Sequence, residues 1–140
     1  PDGLPRSPWG FGGEGSKGGT FGFAEWHDGG PKYAWVRQLR PLLAGEATSP
    51  FVEAAMAADA TSALTHWGTS GLRYINADYT LSLTRLPEGP HIGLAALLHS
   101  SHDGVASGAA AIFDEHGPIG NAMAVALVNP AESFRPTTMK

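Results

Sequence analysis

The chain has 140 residues, of which 42% are hydrophobic and 16% are charged, and its formal net charge is −4. This length allows one domain with a hydrophobic core and is too short for two. The negative net charge argues against a nucleic-acid partner, because such a protein needs a basic surface that follows the phosphates.

The residue content also indicates the cellular compartment of the protein. There is no cysteine, which excludes a disulfide framework and thiolate chemistry and favours a cytoplasmic protein. Every apolar stretch is interrupted well before the roughly 18 residues that a membrane span needs, so we expect no membrane association. The chain begins at Pro1, and we expect either processing or an origin in a longer polypeptide.

Residues 1–19 are dominated by residues that disfavour a packed core. They include seven glycines and three prolines, and such a segment loses much entropy on ordering while burying little surface. We predict a linker or arm here. The run lacks the Lys-Ser/Thr ending of a phosphate-binding loop, and no apolar strand precedes it.

Two strands joined by a turn are predicted next. The residues from Phe21 to Trp26 and from Tyr33 to Val36 are aromatic or β-branched, and His27-Asp-Gly-Gly-Pro31 separates them. A helix start follows, because Ser49 can cap the helix and Pro50 suits its first position. The helix from Pro50 to about Leu64 is apolar on nearly every side, so we expect protein to surround it.

The second half of the chain predicts a long antiparallel meander. Residues 79–83 alternate apolar and polar side chains, and further strands are predicted at 92–99, 105–113 and 119–128. The small residues from Gly108 to Ala111 would let a buried helix lie close to the sheet. Residues 20–129 are therefore predicted to form one α+β domain, a long sheet around one central helix. Residues 130–140 are predicted to be a flexible tail.

Asp59 lies in the middle of the apolar helix, where a carboxylate is costly without a partner or a cavity. Either it borders a pocket and orients or deprotonates a water, or the helix end is exposed and Asp59 faces solvent. Asn76 opens the alternating strand, where such residues usually form local backbone hydrogen bonds. Trp67 is expected in the core or in a pocket wall. The six histidines form no metal-binding motif, so no metal or other cofactor is expected.

Several motifs follow one another along the chain, namely Trp35 to Glu46, Ser49-Pro50, Ala57-Ala-Asp59, Tyr74 to Thr80, Arg85 to Gly89 and Asp114 to Gly120. Their order resembles the thioesterase-like superfamily. From about Phe21 to Val128 the chain is similar to the C-terminal half of a double-hotdog protein related to type II acyl-CoA thioesterases. The resemblance implies a hotdog fold and water-mediated hydrolysis of an acyl thioester.

The same resemblance implies the residues of the site. In relatives a helix Asp, a Thr or Asn at the entry of the next strand and a Gln on the last strand hold the attacking water. Asp59 and Asn76 match the first two as catalytic residues, whereas Ala124 or Val125 stands where relatives carry Gln. Trp67, Tyr74, Ala124 and Val125 are expected to contact substrate.

The absent Gln keeps a second function open. The chain could be a non-catalytic or repurposed hotdog that binds an acyl-CoA-like or polyketide-like ligand, or a structural subunit of a double-hotdog assembly. The resemblance also implies a partner, because a double hotdog has two such units and this chain contains one. We therefore expect a homo-oligomer or a complex with a separate N-terminal fragment.

Overall fold

The computed structural model describes residues 9–13, 32–38 and 40–129, which form one six-stranded sheet, a short hairpin and two helical segments. The elements in chain order are β1 (Trp9–Gly13), β2 (Lys32–Arg37), α1 (Pro50–Ala58), α2 (Ala60–His66), β3 (Trp67–Gly68), β4 (Gly71–Leu72), β5 (Tyr74–Leu83), β6 (His91–His102), β7 (Val105–Asp114) and β8 (Gly117–Val128). Within these ranges, no helix is both long and apolar enough to cross a bilayer.

The large sheet is antiparallel throughout and has the order β1-β2-β6-β7-β8-β5. Helix α2 lies across one face and contacts β2, β5, β6, β7 and β8. The core forms between this helix and the sheet, and Leu64, Leu94 and Ile112 are among its fully buried side chains. A long antiparallel sheet around a central helix is the hotdog fold, as predicted.

The small residues of β7 allow the helix to approach the sheet. Gly108 faces α2, and a Cβ atom built on it would collide with the Thr65 side chain and lie 3.0 Å from Cε1 of His66. Ala106 and Ala110 occupy the neighbouring inward positions and are buried. The prediction that small side chains here receive a buried helix is therefore correct.

The helix differs from its prediction in two respects. Ser49 caps it as expected, because its Oγ accepts a hydrogen bond from the Val52 backbone N–H at 3.3 Å. However, the helix breaks at Asp59 into two segments, and only α2 is buried on most sides. In α1 Ala54, Ala57 and Ala58 are buried, whereas Phe51 is 55% exposed. The expected all-round burial of residues 51–58 is wrong, because the described part of the sheet, which contacts α1 mainly through β5 and β6, leaves Phe51 open to solvent.

The strand order corrects the predicted meander. Strands β6, β7 and β8 do form consecutive hairpins, but β5 pairs with β8 and lies at the edge of the sheet. The turn around Leu86 to Pro90 therefore does not join neighbouring strands. After this turn the chain crosses from the edge strand β5 to β6, which pairs with β2.

Strand β1 lies inside the segment 1–19 that the sequence assigns to a linker or arm. Its backbone pairs with β2 in a continuous antiparallel register from Trp9–Val36 to Gly13–Lys32. Backbone hydrogen bonds need no particular side chains, so a Gly-rich composition does not reveal such a strand. The strand predicted at residues 21–26 and its following turn lie outside the described residues.

A cluster of polar groups fixes the turn between β7 and β8 to the end of β5. Asp114 accepts two hydrogen bonds from the Arg85 guanidinium, at 2.6 and 2.7 Å, and one each from the backbone N–H groups of Glu88 and His116 at 2.9 Å. Its side chain is fully buried. We call these four residues the turn cluster. They lie in two of the motifs on which the family resemblance rests.

Candidate active site

Asp59 lies at the break between α1 and α2, where its side chain is exposed. Its Oδ1 accepts a hydrogen bond from Nδ2 of Asn76, the third residue of β5, at 3.4 Å. This distance is beyond the usual range for an N–H···O bond, so the carboxylate is oriented without being tightly held. The structure thus brings together the two residues that the sequence nominated as catalytic.

The pair borders a cleft of about 500 Å³. One wall comes from α2, another from the start of β5, and β4 contributes Leu72. The complete lining is Asp59, Ser62, Ala63, Leu72, Tyr74, Ile75, Asn76 and Asn129. The cleft therefore combines an apolar wall with a carboxylate and two amides, which is the composition expected of a small-molecule site.

The Oδ1 atom of Asn76 is buried and receives no hydrogen bond from the described residues. Buried polar atoms in folded proteins nearly always have a partner. Because Oδ1 is not accessible from the cleft, the amide of Asn76 acts on the cleft through Nδ2, which donates to the Asp59 carboxylate.

Tyr74, which is predicted to contact substrate, lines the cleft and lies next to two histidines. The ring centroids of His66 and His99 are 5.7 and 6.1 Å from that of Tyr74, and the two Nδ1 atoms are 2.8 Å apart. Burial, followed by the neighbouring His99, lowers the pKa of His66 to about 4, and the Ala124 backbone acts in the opposite direction. His66 is therefore neutral at pH 7. No sequence pattern indicates this histidine pair, because 33 positions separate its members.

The remaining predicted substrate contacts differ in their placement. Ala124 is fully buried on the helix-facing side of β8, whereas Val125 points to the opposite face of the sheet and is 41% exposed. Position 124 is therefore the one from which a Gln could reach the helix. Trp67 is 3% exposed and belongs to the hydrophobic core, outside the cleft lining. The core interpretation of Trp67 is correct, and its assignment to the substrate site is not supported.

The cleft also includes residues that the sequence analysis did not single out. Ser62 and Ala63 lie on α2, one turn beyond Asp59, so their position follows from helical periodicity once Asp59 is placed. Leu72 and Asn129 reach the cleft through tertiary folding alone. No cluster of three or more His, Cys, Asp or Glu occurs in the part of the chain that the structure describes.

Comparisons with known proteins agree with this architecture. A family model described as "Acyl-CoA thioesterase C-terminal domain" matches residues 13–128. The chain is also similar to a crystal structure described as a "putative thioesterase" from Syntrophus aciditrophicus SB, with a TM-score of 0.58 and 8% sequence identity. The likeness covers 87% of this chain and 85% of that one, and at this identity it shows the fold alone. No curated protein matches the chain significantly.

Proposed function

The chain belongs to the acyl-CoA thioesterase C-terminal domain family, and on that premise we propose that it hydrolyses an acyl thioester in the cleft beside Asp59 and Asn76. The acyl group lies along the apolar wall formed by Ala63, Leu72 and Tyr74. A water lies beside the exposed Asp59 carboxylate, within reach of the thioester carbonyl carbon.

The proposed reaction needs one base and one water. The Asp59 carboxylate takes a proton from the water while the water oxygen attacks the carbonyl carbon, which gives a tetrahedral intermediate. The carbon–sulfur bond then breaks, the thiolate leaves and the proton held by Asp59 returns to the products. Asn76 orients the base through Nδ2, which donates to Oδ1 of Asp59. The products are a carboxylic acid and a free thiol.

The observation that carries the proposal is the position of Asp59. Its carboxylate faces a cleft and contacts Asn76 from a different element, although nothing in the helix itself requires an acid there. The test is thiol release from a panel of acyl-CoAs by the purified protein. Replacing Asp59 with Asn keeps the shape and removes the base, so we expect the rate to fall roughly 10²–10⁴-fold.

Asp103 supplies the matched control, since its side chain is 89% exposed in the turn between β6 and β7. Asp103→Asn should leave thiol release unchanged. If Asp59→Asn also leaves it unchanged on a substrate that the protein hydrolyses, Asp59 is not the base.

A second candidate function is that of a hotdog that binds an acyl thioester-like ligand without hydrolysing it. The observation that favours it is Ala124, which faces the helix and supplies no amide where relatives carry Gln. Ala124→Gln should raise thiol release if the absent amide limits hydrolysis, whereas Val125→Gln, on the other face of the same strand, should not. If neither does and Asp59→Asn weakens only ligand binding, the protein is a binding module.

We also propose that a second hotdog unit pairs along β5, either from a second copy or from a separate N-terminal fragment. Among the described residues, strand β5 is at the edge of the sheet and pairs on one side only. An exposed strand edge is a template for pairing with another strand. Hydrogen exchange followed by mass spectrometry tests this, because the outward-facing amides of β5 should be protected if the edge is paired and should exchange fast if it is free.

A further inference from the structure

Three aromatic rings, those of His66, Tyr74 and His99, lie together beside the cleft. Their ring centroids are 5.0, 5.7 and 6.1 Å apart in tilted or T-shaped arrangements. We call these three residues the ring cluster. Tyr74 lines the cleft, whereas the two histidines lie outside its lining. The histidines therefore support one wall of the cleft from behind.

His66 is held in place by its surroundings. It is 4% exposed, and its Nδ1 lies 2.8 Å from Nδ1 of His99. Because His66 is neutral at pH 7, one of these two nitrogen atoms can donate a hydrogen bond to the other. On another side, Cε1 of His66 would lie 3.0 Å from a Cβ atom built on Gly108. The ring is therefore packed directly against strand β7.

Tyr74 takes its position from this pair. It is the half-buried first residue of β5, and its ring contacts both imidazoles. Aromatic rings at these separations attract one another beyond the burial of their surfaces. Since His66 and His99 are joined to each other, the Tyr74 ring packs against a rigid neighbour and has few alternative rotamers.

The distance from the proposed catalytic pair to Tyr74 limits the length of the cleft. On α2 the lining runs from Asp59 to Ala63 and stops before His66, and on β5 it runs from Asn76 to Tyr74. Four helical residues advance about 6 Å and two strand residues about 6–7 Å, which is the length of about five carbon–carbon bonds in an extended chain.

We infer that His66 and His99 hold Tyr74 as the end wall of the acyl site, so that the site takes acyl groups of about four to six carbons. This inference rests on the proposed function, because it places the thioester carbonyl beside Asp59. The two histidines are positioning residues that act through Tyr74. A longer acyl chain has to displace a ring held by two others, and one methylene changes kcat/KM in a hydrophobic pocket by about 10-fold or more.

The test is thiol release from butyryl-, hexanoyl-, octanoyl- and dodecanoyl-CoA. The wild type should have a kcat/KM for butyryl-CoA that is about tenfold or more above that for octanoyl-CoA. Tyr74→Ala removes the wall and should raise the octanoyl-to-butyryl ratio of kcat/KM by about tenfold or more. An unchanged ratio would overturn the inference.

His99→Ala tests the positioning role at an exposed side chain, where the fold should tolerate the change. It should raise the same ratio by a smaller factor, because the Tyr74 ring is still present but is free to move. His99→Asn should restore the wild-type ratio, since an Asn amide and Nδ1 of an imidazole are both bonded to Cγ and both can hydrogen-bond to His66.

The control is His102→Ala, on the same strand, with a side chain that is 91% exposed. It should leave the ratio unchanged. If His99 only stabilised the fold, His99→Ala would lower kcat/KM for every acyl length by the same factor, and that result would contradict the positioning role.

Alkyl-CoA thioethers, which cannot be hydrolysed, separate this inference from the proposed hydrolysis. Calorimetry with the same chain lengths should show tighter binding of the butyl than of the octyl thioether, and Tyr74→Ala should remove this difference. If the thioethers show the limit and no acyl-CoA is hydrolysed, the proposed hydrolysis fails and the inference stands. Equal affinity for all chain lengths in the wild type, or no binding of any thioether, would overturn the inference.

Discussion

Asp114 and Asp59 are carboxylates in opposite situations within one domain. Asp114 is fully buried and accepts four hydrogen bonds of 2.6–2.9 Å. Asp59 is exposed at a helix break and accepts one hydrogen bond of 3.4 Å from another side chain. The difference shows which acid holds the fold together and which remains available to bind water.

The electrostatics of the turn cluster follow from its geometry. Hydrogen bonds from Arg85 hold the pKa of the Asp114 carboxyl well below its usual range. Burial acts in the opposite direction and raises this pKa, whereas the backbone N–H groups of Glu88 and His116 lower it further. A lowered pKa means that ionised Asp114 stabilises the fold at neutral pH. This contribution is complete above the pKa of an unfolded Asp, about 4, and is lost as the pH falls toward the lower folded value.

Asp114→Asn should have the largest effect on stability of any change considered. It leaves the Arg85 guanidinium without its counterion and replaces one of the two carboxylate oxygens, so one of the two backbone N–H groups loses its acceptor. We expect the free energy of unfolding, measured by urea unfolding, to fall by about 2–4 kcal/mol. This is less than the cost of breaking a fully buried pair, because the Arg85 side chain is 34% exposed. Asp103→Asn should cost less than about 0.5 kcal/mol, and equal losses for the two variants would contradict the role of the cluster.

Gly108→Ala should have the next largest effect on the free energy of unfolding. It tests how closely α2, which forms one wall of the cleft, packs against β7. The added Cβ would collide with Thr65, so the helix or the strand must shift, at a cost of about 1–3 kcal/mol. Gly68→Ala is the control, because no atom lies within 4 Å of its added Cβ. If Gly108→Ala costs no more than Gly68→Ala, α2 can move away from β7 without loss of stability, which would contradict this prediction.

His66 should make stability depend on pH in the acid range. Its folded pKa of about 4 is below the ordinary value of 6.5, so the unfolded chain takes up the proton first. The contribution of neutral His66 to the free energy of unfolding is therefore complete above pH 6.5. It falls as the pH drops toward 4, by at most about 1.4 kcal/mol per pH unit.

The measurement is urea unfolding at several pH values for the wild type, His66→Gln and His102→Gln. The His66 variant should lose this part of the slope, and His102→Gln, at a side chain that is 91% exposed, is the surface control. Parallel pH profiles for all three proteins would show that His66 does not titrate as described.

The sequence predicted much of this fold, and physical reasons explain the rest. The capped apolar helix, the alternation in β5 and the small residues of β7 are local patterns, and the motif order that resembles the thioesterase-like superfamily supplied the hotdog architecture. The pairing of β5 with β8 is not local, because their paired residues are about 40 to 50 positions apart. The exposed side of α1 depends on how far the sheet extends, which no single segment encodes.

The candidate site was predictable in part for the same reasons. Asp59 stood out as an acid on an apolar helix, and the resemblance supplied Asn76 as its partner. The sequence left open whether position 124 or 125 faces the helix, since a shift of one residue in a strand exchanges its two faces. The motifs Arg85–Gly89 and Asp114–Gly120 supported the family resemblance, but only tertiary contacts identify their residues as the turn cluster.

We propose that Asp59 serves chemistry and contributes little to folding. The most direct test is Asp59→Asn measured in two ways on one preparation, by urea unfolding and by thiol release from an acyl-CoA that the wild type hydrolyses. We expect a stability within about 0.5 kcal/mol of the wild type and a rate that is roughly 10²–10⁴-fold lower. Unchanged turnover, or a loss of stability as large as that of Asp114→Asn, would contradict it.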